Sequence, residues 1–318
     1  MRGMKVDRLE IEPDPRTVLD AARETAAAGC DGFWVAETKH DPFVALSRVA
    51  GTVDLDLGTA IAVAFARNPM TVAVQANDLH LLSGGRFQLG LGSQVEPHVT
   101  KRFGMPWSHP AARMREFVLA VRAIWHSWAT GERLRFRGEF YAHTLMTPFF
   151  DPGPNPHGAP PVWLAGVGAL MTEVAGEVGD GFLCHDFTTE RYLREVTLPA
   201  LARGRARAGR PLAGLGISGP SLVACTDEDV AAVRRRIAFY GSTPSYRKVL
   251  DLHGWGDLHE ELHRLSRRSR WDDMAGLVTD EVLHAFAVVG TPAEARAELT
   301  RRYGDVVTRV AAPVLRTG

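Results

Sequence analysis

Two places in this 318-residue chain bring together residue types that can do chemistry. The first is Glu37-Thr38-Lys39-His40-Asp41, which follows the short apolar run Phe33-Trp34-Val35-Ala36. A carboxylate and an imidazole this close in sequence suit general acid-base work, since each can be tuned by its surroundings to take up or release a proton. The second is a pair of glycine turns at the ends of apolar runs, Gly90-Leu91-Gly92-Ser93 and Gly166-Val167-Gly168. Bare backbone N–H groups at the start of a helix can hold a phosphate, and glycine lets the ligand come close. Each feature also has a plainer reading: Glu37 as a helix N-terminal acid, His40 as a surface histidine, the glycines as tight-turn residues.

Other chemistries lack their residues. The twelve histidines are scattered, with no His-Glu-x-x-His and no Cys/His pairs at ligand spacing, which disfavours a metal-dependent hydrolase. Leu91-Gly92-Ser93-Gln94-Val95 lacks the closing glycine of a nucleophile elbow. Acids and bases balance at 37 each, so the net charge of +0 gives no field to attract nucleic acid or an acidic membrane surface. No run approaches the ~18 apolar residues of a membrane span, and the N-terminal stretch has no signal core. Cys30, Cys184 and Cys225 are odd in number and far apart, which fits buried thiols in a reducing compartment. The expectation is a cytoplasmic protein.

The elements that must position these residues alternate. Leu55 to Val63 and Arg86 to Leu91 are apolar runs without clean alternation, as in strands buried on both faces, and a helical pattern joins them from Asn68-Pro69 to Ser83-Gly84-Gly85. The same unit recurs along the chain. Strands are expected at Met4 to Leu9, weakened by Asp7 and Arg8, at Phe33 to Ala36, Val162 to Ala165, Phe182 to Cys184, Leu215 to Cys225 and Val306 to Val310. Helices are expected between them, including Pro110 to Thr130, whose Phe117, Val121, Ile124 and Trp128 share one face. Asn77, Asp78 and His80 are read as facing solvent or a partner subunit.

About eight such repeats predict one (β/α)₈ TIM barrel spanning residues 1–318, with insertions after strands 4 and 7 at about 131–160 and 240–280. A doubly wound sheet is the runner-up, weakened by the absence of Gly-x-Gly-x-x-Gly at the first strand-to-helix turn. The insertions and adjoining loops carry Trp107, His143, Phe149, Phe150 and Trp255, which could form an apolar lid. Arg264 to Arg270 reads as a solvated basic face.

LGTAIAVAFARNP, LSGGRFQLGLGSQ, PVWLAGVGALMTEVAGEVGDGF and FAVVGTPAEARAEL, in that order and spacing, resemble the luciferase-like monooxygenase superfamily, most closely its branch of coenzyme F420-dependent oxidoreductases. The resemblance implies a barrel, usually dimeric, that holds a deazaflavin at its C-terminal mouth. It implies a cis peptide at Ala60-Ile61, within one residue, and a ring resting on Ala60, Ile61 and Ala62. It further implies that Gly166, Val167 and Gly168 bind the cofactor phosphate and that Gly92 and Ser93 line the ring or ribityl site; His98, in the loop after that strand, is a candidate contact to ring or phosphate, its plainer reading a surface or packing histidine. Glu37 and His40 are then the expected proton-transfer pair.

The sequence departs from sugar-phosphate dehydrogenases of that branch. Thr38 stands where those relatives have a histidine, and Val95, with Glu96 beside it, stands at their second acid; Phe43 keeps the aromatic position. Three functions follow as expectations: an F420-dependent oxidoreductase moving a hydride to or from a small organic substrate, an FMN-dependent monooxygenase using molecular oxygen, or a flavin-binding barrel without turnover.

Overall fold

Eight parallel strands close on themselves in a computed structural model that describes residues 3–316. They are β1 (Lys5–Glu10), β2 (Gly32–Val35), β3 (Asp56–Thr59), β4 (Phe87–Gly92), β5 (Val162–Ala165), β6 (Gly181–Leu183), β7 (Gly216–Ser218) and β8 (Arg309–Val310). β8 pairs with β1 and β3 pairs with β4, so the ring is complete and these strands have no open edge. Around it lie α1 (Val18–Ala27), α2 (Pro42–Val49), α3 (Pro69–Leu82), α4 (Pro110–Thr130), α5 (Ala169–Val178), α6 (Leu198–Arg207), α7 (Asp227–Gly241) and α8 (Pro292–Tyr303). This is the predicted (β/α)₈ barrel.

Local chemistry sets where helices begin. Asp41 caps α2 by accepting from the N–H groups of Phe43 and Val44, Asn68 caps α3 through Thr71, and Thr291 with Glu294 forms a capping box on α8. Proline follows each of these caps at the first helical turn, where its missing N–H costs nothing. The predicted face of α4, Phe117, Val121, Ile124 and Trp128, is buried.

Inside the ring the side chains form layers. At the N-terminal end Asp7 meets the Arg309 guanidinium at 2.6 and 2.9 Å, and Asp56 joins at 3.0 Å. Burial pushes the Asp7 carboxyl above its usual range, against the pull of Arg309. Above this layer Trp34 and Trp163 meet edge to face at 5.6 Å, with the Arg309 guanidinium 4.8 and 5.7 Å from their ring centres. Small residues make the space: a Cβ added at Gly58, Gly181 or Gly216 would lie 2.4, 2.1 or 2.5 Å from an indole carbon.

Several expectations need adjustment. Asp7 strengthens the first strand, because it faces the ring interior and its partner lies at the other end of the chain. The seventh strand stops at Ser218, before Gly219-Pro220; beyond that break Val223–Ala224 pairs outside the ring with Val288–Val289. Asn77 and His80 are buried rather than outward-facing. His80 Nδ1 lies 2.9 Å from the Phe87 carbonyl, and Asn155 donates to the Asn77 side chain at 3.0 Å.

The first insertion follows α4 and not strand 4 directly. Its hairpin, Phe136–Arg137 with Ala142–His143, is held at the start of α4, where the Glu116 carboxylate accepts from the N–H groups of Glu139, Phe140 and Tyr141. The second is largely helical, with Arg247–Leu252, Gly256–Ser266 and Trp271–Ala275 sharing a separate apolar cluster that includes Phe187 and Phe286. Arg264 and Arg270 there pair with Glu261 and Asp273. No helix of the described residues is long and apolar enough to cross a membrane.

Candidate functional site

At the C-terminal end of β3 the ladder to β4 is interrupted. Gly58 lies opposite Gln88 and Ala62 opposite Leu91, so Thr59, Ala60 and Ile61 face only Leu89 and Gly90, and β3 carries one extra residue. The bulge is accommodated by glycine: a Cβ on Gly90 would fall 1.7 Å from the Thr59 carbonyl oxygen, and one on Gly92 would fall 2.8 Å from the Ile61 side chain. Thr59 Oγ1 replaces the lost ladder bonds by donating to the Gly90 carbonyl at 2.6 Å and accepting from the Gly90 N–H at 2.9 Å. The Ala60–Ile61 peptide is cis, at the bond the resemblance implies.

A charged clamp holds this bulge from β2. The Glu37 N–H donates to the Ile61 carbonyl at 3.1 Å, and Glu37 Oε2 accepts from the Val63 N–H at 2.7 Å. Arg67 donates to the same oxygen at 2.6 Å and to Asp41 Oδ2 at 2.6 Å, while its guanidinium lies 5.4 Å from the Phe43 ring centre. The Glu37 side chain is only 7% exposed and that of Arg67 12%. Burial opposes the Arg67 charge, yet the two carboxylates hold its pKa above the ordinary value.

The opposite wall, at the ends of β5 and β6, is built without ion pairs at its lining. Gly168 takes φ +85° as the N-cap of α5, a conformation that side-chain-bearing residues rarely adopt. A cavity beside it is lined by Gly166, Val167, Thr188, Thr197, His185 and Tyr246, among others. Thr188 and Thr197 are each 7% exposed, and among the described residues neither hydroxyl has a hydrogen-bond partner. Buried hydroxyls are normally satisfied, so these two are open positions for a ligand or water. Thr197 ends a π-turn, Leu193–Thr197, just before Pro199, whose missing N–H interrupts the regular helix ladder.

His185 supports that cavity. Its Nδ1 accepts from the Phe187 N–H at 3.0 Å, which places the proton of the neutral ring on Nε2. Tyr246 stacks on it and Tyr240 meets it edge-on, both at 4.5 Å. Burial pushes His185 down to about 4 and the Tyr246 hydroxyl up to about 12. Burial also raises the Cys184 thiol, so it is not an activated nucleophile.

The predicted site residues therefore divide. Glu37, Ile61 and Gly92 are in one cluster; Ala60 is half-buried beside them, and Ala62 is fully buried opposite Leu91. Ser93 is half-buried and donates to the Gln94 carbonyl. Gly166, Val167 and Gly168 form the other wall. His40 is exposed on the rim near Asp14, and His98 is exposed at the start of the π-turn His98–Arg102; neither makes a hydrogen bond to the cluster.

The five lid aromatics are dispersed. Trp107 packs on Phe65, His143 sits in the hairpin, and Trp255 stacks on His253. Phe149 and Phe150 are exposed between Met146, held on Trp128 of α4, and Asn155, held on α3. The sequence reading missed Arg67, Thr188 and Thr197. Arg67 stands between two predicted elements in FARNP, and Thr188 lies four residues past the predicted strand Phe182 to Cys184, but nothing local marks their partners. No group of three or more metal-ligating side chains that could hold an ion is found among the described residues.

Residues 3–309 match the family model described as luciferase-like monooxygenase, and the chain belongs to that family. An uncharacterized protein of Mycobacterium tuberculosis is 54% identical over 314 residues, covering 95% of this chain and 92% of that one. The F420-dependent glucose-6-phosphate dehydrogenase of Nocardia farcinica is 30% identical over 212 residues, 62% of this chain and 61% of that one. In fold, the coenzyme F420 dependent tetrahydromethanopterin reductase of Methanopyrus kandleri superposes with a TM-score of 0.80 at 19% identity, covering 97% of this chain and 92% of that chain.

Proposed function

We propose that this member of the luciferase-like monooxygenase family is an F420-dependent oxidoreductase acting on a small organic substrate. The observation that carries this reading is the pairing, across one barrel mouth, of a bulge with glycine opposite it and a glycine turn flanked by unpartnered buried hydroxyls. A flat ring joined by a chain to a phosphate needs both: a floor without side chains in the way, and N–H and O–H donors for the anion. The name of the Nocardia farcinica relative supports F420 as the cofactor.

In this assignment Ala60 and Ile61 with Gly92 and Ser93 hold the ring and ribityl end, and the fully buried Ala62 supports the bulge from beneath. Gly166, Val167 and Gly168, with the Thr188 and Thr197 hydroxyls, hold the phosphate, and His98 borders the entrance. F420 supplies two-electron hydride chemistry when bound. The chain's own tasks are to orient the ring, exclude water and move one proton. Of the expected pair, His40 stands free on the rim and is assigned the proton, whereas the Glu37 carboxylate is engaged by Val63 and Arg67.

The protein is proposed to act as a homodimer in the cytoplasm. α3 exposes Val74, Leu81 and Leu82, α2 exposes Val44, and neither Arg48 nor Asp78 beside them has an ion-pair partner among the described residues. Three free cysteines support a reducing compartment.

Titrating the apoprotein with F420 and, separately, with FMN while following fluorescence tests the central reading. Tight F420 and weak FMN binding is expected. The reverse order would favour the FMN-dependent monooxygenase that uses molecular oxygen, and binding of neither would remove the cofactor assignment. Loss of hydride exchange in His40→Gln with unchanged F420 affinity is the expected sign of the proton role.

A further inference from the structure

The clamp at β2 leaves one atom unaccounted for. Glu37 Oε2 takes two hydrogen bonds, from Val63 and Arg67, while Oε1 has no partner among the described residues although the side chain is 93% buried, the complement of its 7% exposure. Oε1 is not fully enclosed, so it touches open space while the Glu37 backbone is tied to Ile61. A carboxylate has about four acceptor positions, and burying one oxygen unpaired is costly unless a ligand or water completes it. Arg67 decides which oxygen is spent: bridging Glu37 and Asp41 at 2.6 Å each, it ties the β2–α2 loop to the β3–α3 loop and fixes the carboxylate plane. Asp41 is in turn fixed by capping α2 through its other oxygen.

We infer that Arg67 is a positioning residue that holds Glu37 Oε1 as a fixed hydrogen-bond acceptor for an N–H or O–H group of the bound ring, and that Glu37 binds the ligand instead of carrying protons. The ring in question is that of the proposed cofactor, so the ligand arm rests on that reading, while the clamp itself does not. Ionised acceptors make the stronger class of hydrogen bond, and a preset one needs no rearrangement when the ligand arrives.

The test uses the full-length protein as wild type, Arg67→Met, Arg67→Lys, Glu37→Gln and the double variant Arg67→Met/Glu37→Gln, each checked for folding by circular dichroism. In the apoproteins, hydrogen exchange at the Val63 N–H is expected to quicken at least tenfold in Arg67→Met and Glu37→Gln and to recover largely in Arg67→Lys. In titrations with F420, Arg67→Met and Glu37→Gln are each expected to weaken binding about tenfold and to shift the absorption band of the bound chromophore. The double variant is expected to be no weaker than Glu37→Gln alone, because both changes remove one interaction.

Multiplying losses in the double variant, or wild-type affinity and spectrum in a folded Arg67→Met, would overturn the proposal. Should Arg67→Met not fold, Asp41→Asn, which loosens Arg67 but leaves Glu37 intact, must reproduce the spectral shift in part or the inference fails. Faster exchange at Val63 together with no F420 binding by the wild type would support the clamp and overturn the ligand assignment and the cofactor reading with it.

Discussion

The two walls of the barrel mouth are stabilised in opposite ways. At β2 and β3 the backbone bulge is cross-linked by Glu37, Arg67 and Asp41, all of whose contacts lie within the protein save one carboxylate oxygen. At β5 and β6 the lining is glycine, hydroxyl and aromatic, and the Thr188 and Thr197 hydroxyls are left without partners among the described residues. A charge-paired wall keeps its geometry whether or not a ligand is present, because an uncompensated buried ion is the costly alternative. A wall of bare N–H and O–H groups is completed only by what binds there. The first wall is built to position, the second to be filled.

The sharpest way to break the contrast is Arg67→Met, which strands Glu37. Its free energy of unfolding, from urea melts, should fall by about 3 kcal/mol, as for a largely buried pair losing one partner. Gly168→Ala on the other wall should cost about 1 to 3 kcal/mol, since the backbone there suits glycine; F420 affinity should drop with it.

A pH series separates the walls next. His185 is held neutral with its pKa down to about 4, below the ordinary 6.5, so the unfolded chain binds a proton that the fold does not. Stability is therefore full above about pH 6.5 and is lost as pH falls towards 4; His185→Gln should flatten that slope in melts across the window. The smallest effect on stability belongs to Thr188→Val and Thr197→Val. Each should shift it by no more than about 0.5 kcal/mol, because no protein partner is lost. Each should still weaken binding of the phosphate-bearing cofactor by about fivefold, which would separate ligand-binding hydroxyls from structural ones.

The barrel was legible because strands buried on both faces read as apolar runs, and because caps such as Asn68-Pro69 and Thr291-Pro292 mark the helix starts locally. Asp7 obscured the first strand since its partner, Arg309, is 302 residues away. α3 concealed its orientation: apolar residues occupy all its faces, so polarity alone pointed His80 and Asn77 outward, whereas Phe87 and Asn155 supply their partners. Glu37 was recognisable by type and place. Its engagement by Arg67, 30 residues on, was not. The hydroxyls of Thr188 and Thr197 stood out only when their neighbours were known, since a missing partner leaves no mark in sequence.

Trp34 and Trp163 bear on how this protein can be watched. Both indoles sit in the ring interior, in one apolar group with Ala60, Ile61 and Ala165 of the mouth. Any chromophore held on that floor would lie within range to take up their emission by energy transfer. The barrel thus contains its own optical gauge of occupancy, one that needs no label and no turnover.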